Sequence, residues 1–243
     1  MQIKRLEQQL DLKLVERRSG GMKLTREGMQ LLPFAQKMIA LNDSAYSRLT
    51  ASEYQGSVRV GVPGDICTLT LPKALRAFNE EFPRAWLDVH IGQTVNLKSG
   101  FAEGEYDLIL TTELQVDHDA HLLRTERLVW VGAPSGNAFR QRPLPLGINP
   151  ICAFRTPLLE ALNAAGIDHV ELNHNPNVDG LMIELLADMC VDVELESVAK
   201  SRGQVLADTT GLPRLPDFST GMQYRTDHYL AEILASHISK AYR

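Results

Sequence analysis

Asp117-His118-Asp119-Ala120-His121 is a dense run of metal-capable side chains. Two imidazoles and two carboxylates within five residues offer nitrogen and oxygen ligands, but the run sits between element signals, where a solvated loop competes as a reading. His169 and His174 flank a strand candidate and have no third ligand in sequence reach. The three cysteines, Cys67, Cys152 and Cys190, lie far apart with no CxxC pair. That spacing predicts no zinc or disulfide framework and fits a reduced cytoplasm. Cys67 could serve as a nucleophile or redox sensor, although no His–Cys pairing is visible to activate it. Ser135-Gly136 has no GxSxG frame, and neither GxGxxG nor P-loop spacing occurs. The residues therefore predict no metal site, no cofactor and no enzyme.

Charge is unevenly spread. The net charge is −5, yet residues 1–50 carry +4 and residues 51–243 carry −9. A basic head on an acidic body predicts that an anionic partner meets the head, with a solvated helix surface as the plainer alternative. Ordinary proportions of hydrophobic and charged residues, 44% and 23%, exclude a disordered chain. With 243 residues the chain can bury a core of one large domain or two small ones. No run of 18 apolar residues occurs, and the charged start MQIKRLEQQL has no apolar signal-peptide core.

The elements that must position any site follow from periodicity. Ile3, Leu6, Leu10 and Leu14 recur at helical spacing over 2–14, without an N-cap before the first apolar position. Arg17-Arg18-Ser19-Gly20-Gly21 reads as a turn joining short strands at 14–16 and 22–24. Thr25 caps a long helix whose apolar stripe runs from Leu31 to Leu49; such a helix either pairs with a copy of itself or packs on its own body. After Tyr54-Gln55-Gly56 the pattern changes to strands alternating with helices. Strands are expected at 57–62, 86–91, 106–111, 122–131, 170–172, 191–195 and 219–225, and helices at 71–82, 97–103, 158–165, 180–186 and 227–242. This alternation predicts βαβ units and a parallel sheet.

These residues resemble a known family, the LysR-type bacterial transcriptional regulators. The family pattern QI-x-x-LE-x-x-L-x-x-x-LF-x-R, a turn, then LT-x-x-G is kept here as Gln2-Ile3, Leu6-Glu7, Leu10, Leu14, Arg17, Leu24-Thr25 and Gly28. It departs at Val15, where Phe is usual, and at Asp11, where Gly is usual. GSVRVGV, LPKALRAFNEEFP, GEYDLIL and GLPRLPDF are similar to the family's effector domain, so the likeness spans essentially the whole chain. PLPLGINPICAFRTPLLEALNAAGI and GLPRLPDF look most like the branch that represses motility and virulence traits.

The resemblance implies an α/β protein: a partial winged helix-turn-helix and a long linker helix, then a two-lobed, periplasmic-binding-protein-like (type 2) effector domain. It implies the end of the recognition helix and the wing at 1–28, a linker and dimerisation helix at 29–55, lobe 1 at 56–127 and 225–243, and lobe 2 at 128–224. The crossings between lobes are expected near Leu128–Gly132 and Gln223–Arg225. The family carries about two further helices ahead of the Gln2 position, roughly 30–35 residues, including the base-reading part of the recognition helix. Lys4, Arg5, Arg17, Arg18 and Lys23 are then the residues expected at DNA phosphates or the minor groove. The implied function is a cytoplasmic, non-enzymatic regulator that binds promoter DNA in its full-length form, responds to a small-molecule effector and forms a homodimer or homotetramer. The alternative is a truncated ligand-sensing and dimerising module that interferes with full-length subunits without reading DNA. A solute-binding protein is disfavoured by the LE…ERR…LT segment.

Effector contacts are expected in the cleft between lobes, where loops leave the carboxyl ends of strands. Asp65, Cys67 and Thr68 follow the first strand, and Gln93 and Thr94 the second. Thr111 and Thr112 end the third, and Phe154, Arg155, Asn175 and Asn177 lie on later loops. Thr94 matches a position that commonly binds effector. Asp65 stands where the family often has Ser or Thr, and a carboxylate there would repel an acid and favour an amine or hydroxyl. The family's AGLGV segment is here Ala187-Asp188-Met189-Cys190-Val191, without either glycine, and acids follow at Asp192, Glu194 and Glu196. Two readings stand: an edge strand with its acids in solvent, or a reshaped or lost pocket.

Overall fold

The structure, a computed structural model, describes residues 2–18, 21–35, 38–39, 56–67, 70–172, 178–202, 205–206 and 211–242. The chain divides into two units, Met1–Tyr54 and Gln55–Arg243.

In the first unit, helix α1 (Gln2–Leu10) precedes an antiparallel hairpin of β1 (Val15–Arg18) and β2 (Gly21–Leu24), in register Val15 opposite Leu24. Asp11 turns the chain out of α1 at φ +51, a left-handed conformation. That explains why a glycine suits the position and why an aspartate is among the side chains that tolerate it. Glu7 organises the turn. Its buried carboxylate accepts the Leu14 N–H at 2.8 Å and the Val15 N–H at 3.2 Å, and these donors hold its pKa below the ordinary value. Thr25 caps helix α2, which is described over 26–35 and 38–39, by accepting the Gly28 N–H at 3.0 Å while donating to the Lys13 carbonyl. A Cβ at Gly28 would collide with the Leu14 carbonyl, so α2 crosses the hairpin entry at a distance only glycine permits. Residues 40–55 of the expected linker helix lie outside the described residues.

The second unit is built on a six-stranded sheet. In chain order its strands are β3 (Gly56–Pro63), β4 (Ala85–Gly92), β5 (Leu108–Glu113), β6 (His121–Val131), β9 (Asp192–Leu195) and β10 (Asp217–Tyr224), in spatial order β4-β3-β5-β10-β6-β9. β3 pairs in parallel with β4 and β5; β10 is antiparallel to β5 and β6, and β9 antiparallel to β6. Val58, Val60, Val62, Leu108, Ile109 and Leu110 are wholly buried, as strands covered on both faces require. A smaller parallel pair, β7 (Leu144–Leu146) and β8 (His169–Glu171), extends through a bridge from Leu146 to Val191.

Helices α3 (Leu71–Glu81), α4 (Thr94–Glu103), α5 (Arg155–Ala164), α6 (Val178–Leu186), α7 (Glu196–Arg202) and α8 (Tyr229–Ala241) fill the connections. Pro72 stands at the start of α3, where its missing N–H costs nothing, and Gly104 at φ +86 ends α4. α3 packs on α8, with Phe78 against both Phe82 and His237.

β6 serves both halves of this unit without a break. Its residues 121–127 pair with β10, with a register shift at Leu123, and its residues 128–131 with β9, so the change of partner falls where the outward passage is expected. The return differs from expectation. β10 pairs with β6 from Asp217 and with β5 from Ser219 through Tyr224, so the chain is back in the sheet ahead of Gln223–Arg225. Pro213 and Pro216 end the irregular approach, and Trp130 Nε1 donates to the Pro213 carbonyl at 2.8 Å. No described helix is long and apolar enough to cross a membrane.

Candidate functional site

A cavity of about 100 Å³ opens at the carboxyl ends of β3, β4 and β5. One wall comes from Pro63-Gly64-Asp65 after β3, Gln93-Thr94 after β4, and Thr112 on β5. The opposite wall comes from Ile148, Asn149 and Cys152–Phe154 before α5, Leu181 on α6, Asp192–Glu194 on β9, and Arg202 on α7. Parallel strands leave their loop ends together, so residues distant in sequence meet there.

The first wall is cross-linked by hydroxyls. Thr94 Oγ1 accepts the Thr112 N–H at 3.0 Å and donates to the Thr112 carbonyl at 3.3 Å. Thr112 Oγ1 in turn donates to Asp65 Oδ1 at 3.3 Å. Burial pushes the Asp65 carboxyl up to about 6, against the lowering effect of the Thr112 hydroxyl.

The second wall carries two further acids. Along β9, Val193 and Leu195 are buried in the core, and the period-2 alternation turns Asp192 and Glu194 to the opposite, cavity side. β9 is an edge of the sheet, as the sequence suggests, but these acids are not in solvent: the other face of the strand is roofed by the loop carrying Asn149 and Cys152. Burial pushes Asp192 up to about 8, and Glu194 also upward. Glu194 Oε1 pairs with Arg202, while its Oε2 is buried without a hydrogen-bond partner among the described residues. Glu196, next along, instead bonds Arg127 and Lys200, which hold it down at about 2.

Of the residues expected from sequence, the cavity gathers Asp65, Gln93, Thr94, Thr112 and Phe154. Phe154 is fixed by an edge-on contact with Phe218, ring centres 4.8 Å apart. Thr111 is a correction: strand alternation sends it to the other face of β5, opposite Gly221 on β10, and it does not line the cavity. Arg155 is a second correction, since it forms a two-pronged pair with Glu171 at 2.7 Å on each prong, away from the cavity wall. Cys67 lies one turn beyond the wall, its thiol donating to the Gly64 carbonyl at 3.2 Å and raised by burial, the reverse of nucleophile activation. Thr68, Asn175 and Asn177 lie outside the described residues.

Sequence reasoning missed Cys152 and Arg202 as wall residues and left Asp192 and Glu194 between solvent and a reshaped pocket; their place on the cavity wall favours the second. The alternation of acids was visible; which face the strand buries was not.

The metal-capable run disperses. Asp117 pairs with Lys98 at 2.7 Å, Asp119 accepts from Gln223, and His121 stacks on Tyr224. Among the described residues no group of three His, Cys, Asp or Glu is placed to hold a metal. In the first unit Lys4, Arg5 and Lys23 are exposed; the side chains of Arg17 and Arg18 lie outside the described residues, their backbone forming β1.

A family model described as the LysR substrate binding domain matches residues 51–235. The HTH-type transcriptional regulator DgdR of Burkholderia cepacia is 28% identical over 98% of this chain and 82% of its own length. PecT of Dickeya dadantii (strain 3937), also an HTH-type transcriptional regulator, is 27% identical over 93% of this chain and 72% of its own. Among solved structures, full-length BenM superposes with a TM-score of 0.57 at 18% identity, covering 99% of this chain and 86% of that one. A full-length OxyR variant from Pseudomonas aeruginosa gives 0.56 at 17%, covering 99% and 88%. These likenesses identify the α/β part as a two-lobed, type 2 periplasmic-binding-protein-like fold.

Proposed function

The chain belongs to the LysR-type transcriptional regulators, and from that membership we propose that a small effector held in the cleft described above shifts the regulator between assembled states. The observation that carries this reading is the cavity itself, which sits where the carboxyl ends of β3, β4 and β5 face β9. As a partner of promoter DNA the protein works in the cytoplasm and catalyses no reaction. Lys4, Arg5, Arg17, Arg18 and Lys23 supply phosphate contacts that position the first unit on the duplex.

Assembly as a dimer or tetramer is supported by apolar surface in each unit. On α2, Met29, Leu32, Phe34, Met38 and Ile39 are exposed. On the second unit, edge strand β4 exposes Trp86 at 72% and Ile91, and α6 exposes Ile183 and Leu186. Isolated exposed hydrophobics are ordinary, but stripes along one helix or one sheet edge mark contact surfaces.

The test is a metabolite screen by thermal unfolding of the 243-residue chain, repeated on Ala153→Trp. Ala153 is exposed on the cavity wall, so the indole fills the cleft without disturbing the core. A stabilising ligand whose effect is lost in Ala153→Trp, and which alters reporter expression in cells, supports the reading. Ligand effects indifferent to the filled cleft overturn it.

A second reading rests on α1, whose apolar positions Ile3, Leu6 and Leu10 are exposed within the first unit. A helix that reads DNA from a winged unit packs such a stripe against partner helices. In this reading the polypeptide senses ligand and pairs with other subunits but reads no bases. Sequence-specific gel shift by the 243-residue chain alone would exclude it.

A further inference from the structure

We propose that the cleft selects a compact protonated amine and rejects carboxylate ligands. The proposal rests on the cleft being the effector site and names the chemistry of what enters it. Three carboxylates, Asp65, Asp192 and Glu194, converge on one small cavity from opposite walls. Arg202 is the single cation on that wall among the described residues, and it is committed to Glu194. With the acids ionised the wall carries −2, and a buried charge of that size requires a counter-charge.

The acids are not fully used by their neighbours. Asp65 has the Thr112 hydroxyl and nearby backbone donors. Asp192 has the Val193 amide, and no cationic side chain among the described residues meets it. Glu194 leaves Oε2 buried and unpaired, an acceptor whose water has been removed and not replaced by a donor. An ammonium group is the chemistry that answers all three: it brings charge and several N–H donors at one point. A divalent cation is the rival, but no described group of three such side chains is spaced to ligate one. Ile148, Leu181 and Phe154 add apolar wall for a short alkyl part, and a cavity near 100 Å³ sets the ligand at a few heavy atoms.

The groups facing the cavity are Asp65, Asp192, Glu194, Arg202 and the Cys152 thiol, which burial raises to about 12 and so keeps neutral. Amine affinity therefore rises as pH is raised from about 6 to about 8.5, while Asp65 and then Asp192 lose their protons.

The experiment compares propylamine and 1,4-diaminobutane with butyrate and 1-propanol at equal ionic strength, by thermal unfolding and calorimetry on the 243-residue chain at pH 8. The expected result is stabilisation by the amines alone. Asp192→Asn should weaken amine binding on the order of 10- to 100-fold, the worth of one charge-assisted hydrogen bond. Asparagine keeps the shape of the carboxyl group and cannot ionise, so that variant retains its fold; Glu103→Gln, on the exposed end of α4, is the neutral control. Binding of butyrate but not the amines overturns the amine assignment and leaves the cleft reading standing. No amine effect, or an amine effect unchanged in Asp192→Asn, also overturns the assignment. The cleft reading fails separately, on ligands whose effect survives Ala153→Trp.

Discussion

Cys190 packs its thiol against the backbone of Gly147, so closely that a Cβ on Gly147 would stand 2.5 Å from Cys190 Sγ. Cys190 occupies a position where the family's AGLGV pattern has glycine. Gly147 makes room for the Cys190 side chain, which is buried with Leu185 and Val131.

Gly147→Ala should therefore destabilise the second unit by about 1–3 kcal/mol through overpacking. Cys190→Gly in the same chain should recover part of that loss. Urea unfolding of the two single variants and the double variant gives the coupling, and additive losses would show that the two positions do not share the space.

Asp107 is a different anchor. Its buried carboxylate accepts the Arg59 backbone N–H at 2.8 Å and the Arg59 guanidinium at 3.1 and 2.7 Å. Burial alone would raise its pKa, but the Arg59 donors outweigh it and hold the group below its usual value. A depressed carboxylate stabilises above its unfolded pKa, and the contribution is lost as pH falls through the folded value. Asp107→Asn should cost about 1.5–3 kcal/mol at pH 7, with the gap to the parent closing below about pH 3.5. Denaturant midpoints from pH 3 to 7 read this directly.

Asp192 has the opposite sign. Its folded pKa of about 8 lies far above that of an unfolded aspartate, so the native state holds a proton that the unfolded chain has released. Stability then falls as pH rises from about 4 to about 8, with Asp65 adding a smaller fall up to about 6. Asp192→Asn should be no less stable than the parent at pH 5 and more stable at pH 9. Parallel stability curves for the two proteins would contradict a buried, protonated Asp192.

Two substitutions in the first unit should move in opposite directions. Asp11→Gly relieves a left-handed backbone and should raise stability slightly, by about 0.5 kcal/mol. Gly28→Ala drives a methyl into the Leu14 carbonyl and should open the α2–hairpin contact. Amide exchange at position 28, whose N–H is held by Thr25 in the parent, reports on that opening.

The sheet was legible in sequence because Val58-Val60-Val62 and Leu108-Ile109-Leu110 declare themselves by apolar content alone. Asp65 and Thr94 were legible because loops after parallel strands converge on one edge. Thr111 and Thr112 are not separable in the sequence, since a strand's end is uncertain by a residue and one residue inverts the face. Asp192 and Glu194 stay undecided in the sequence for a related reason. Alternation separates two faces but does not say which faces water, and the roof over β9 comes from a loop some 40 residues earlier in the chain. Arg202 gave no signal at all, being an ordinary polar residue late in a short helix.

The unbroken course of β6 has a mechanical corollary. Its two segments are laddered to different partners, and Trp130 ties it to the returning chain at Pro213. Two tethered passages resist torsion better than one, so the relative motion expected of the halves of the second unit is hinge-like closure rather than swivelling. An effector held there, as proposed, would then be read out as a single closure angle.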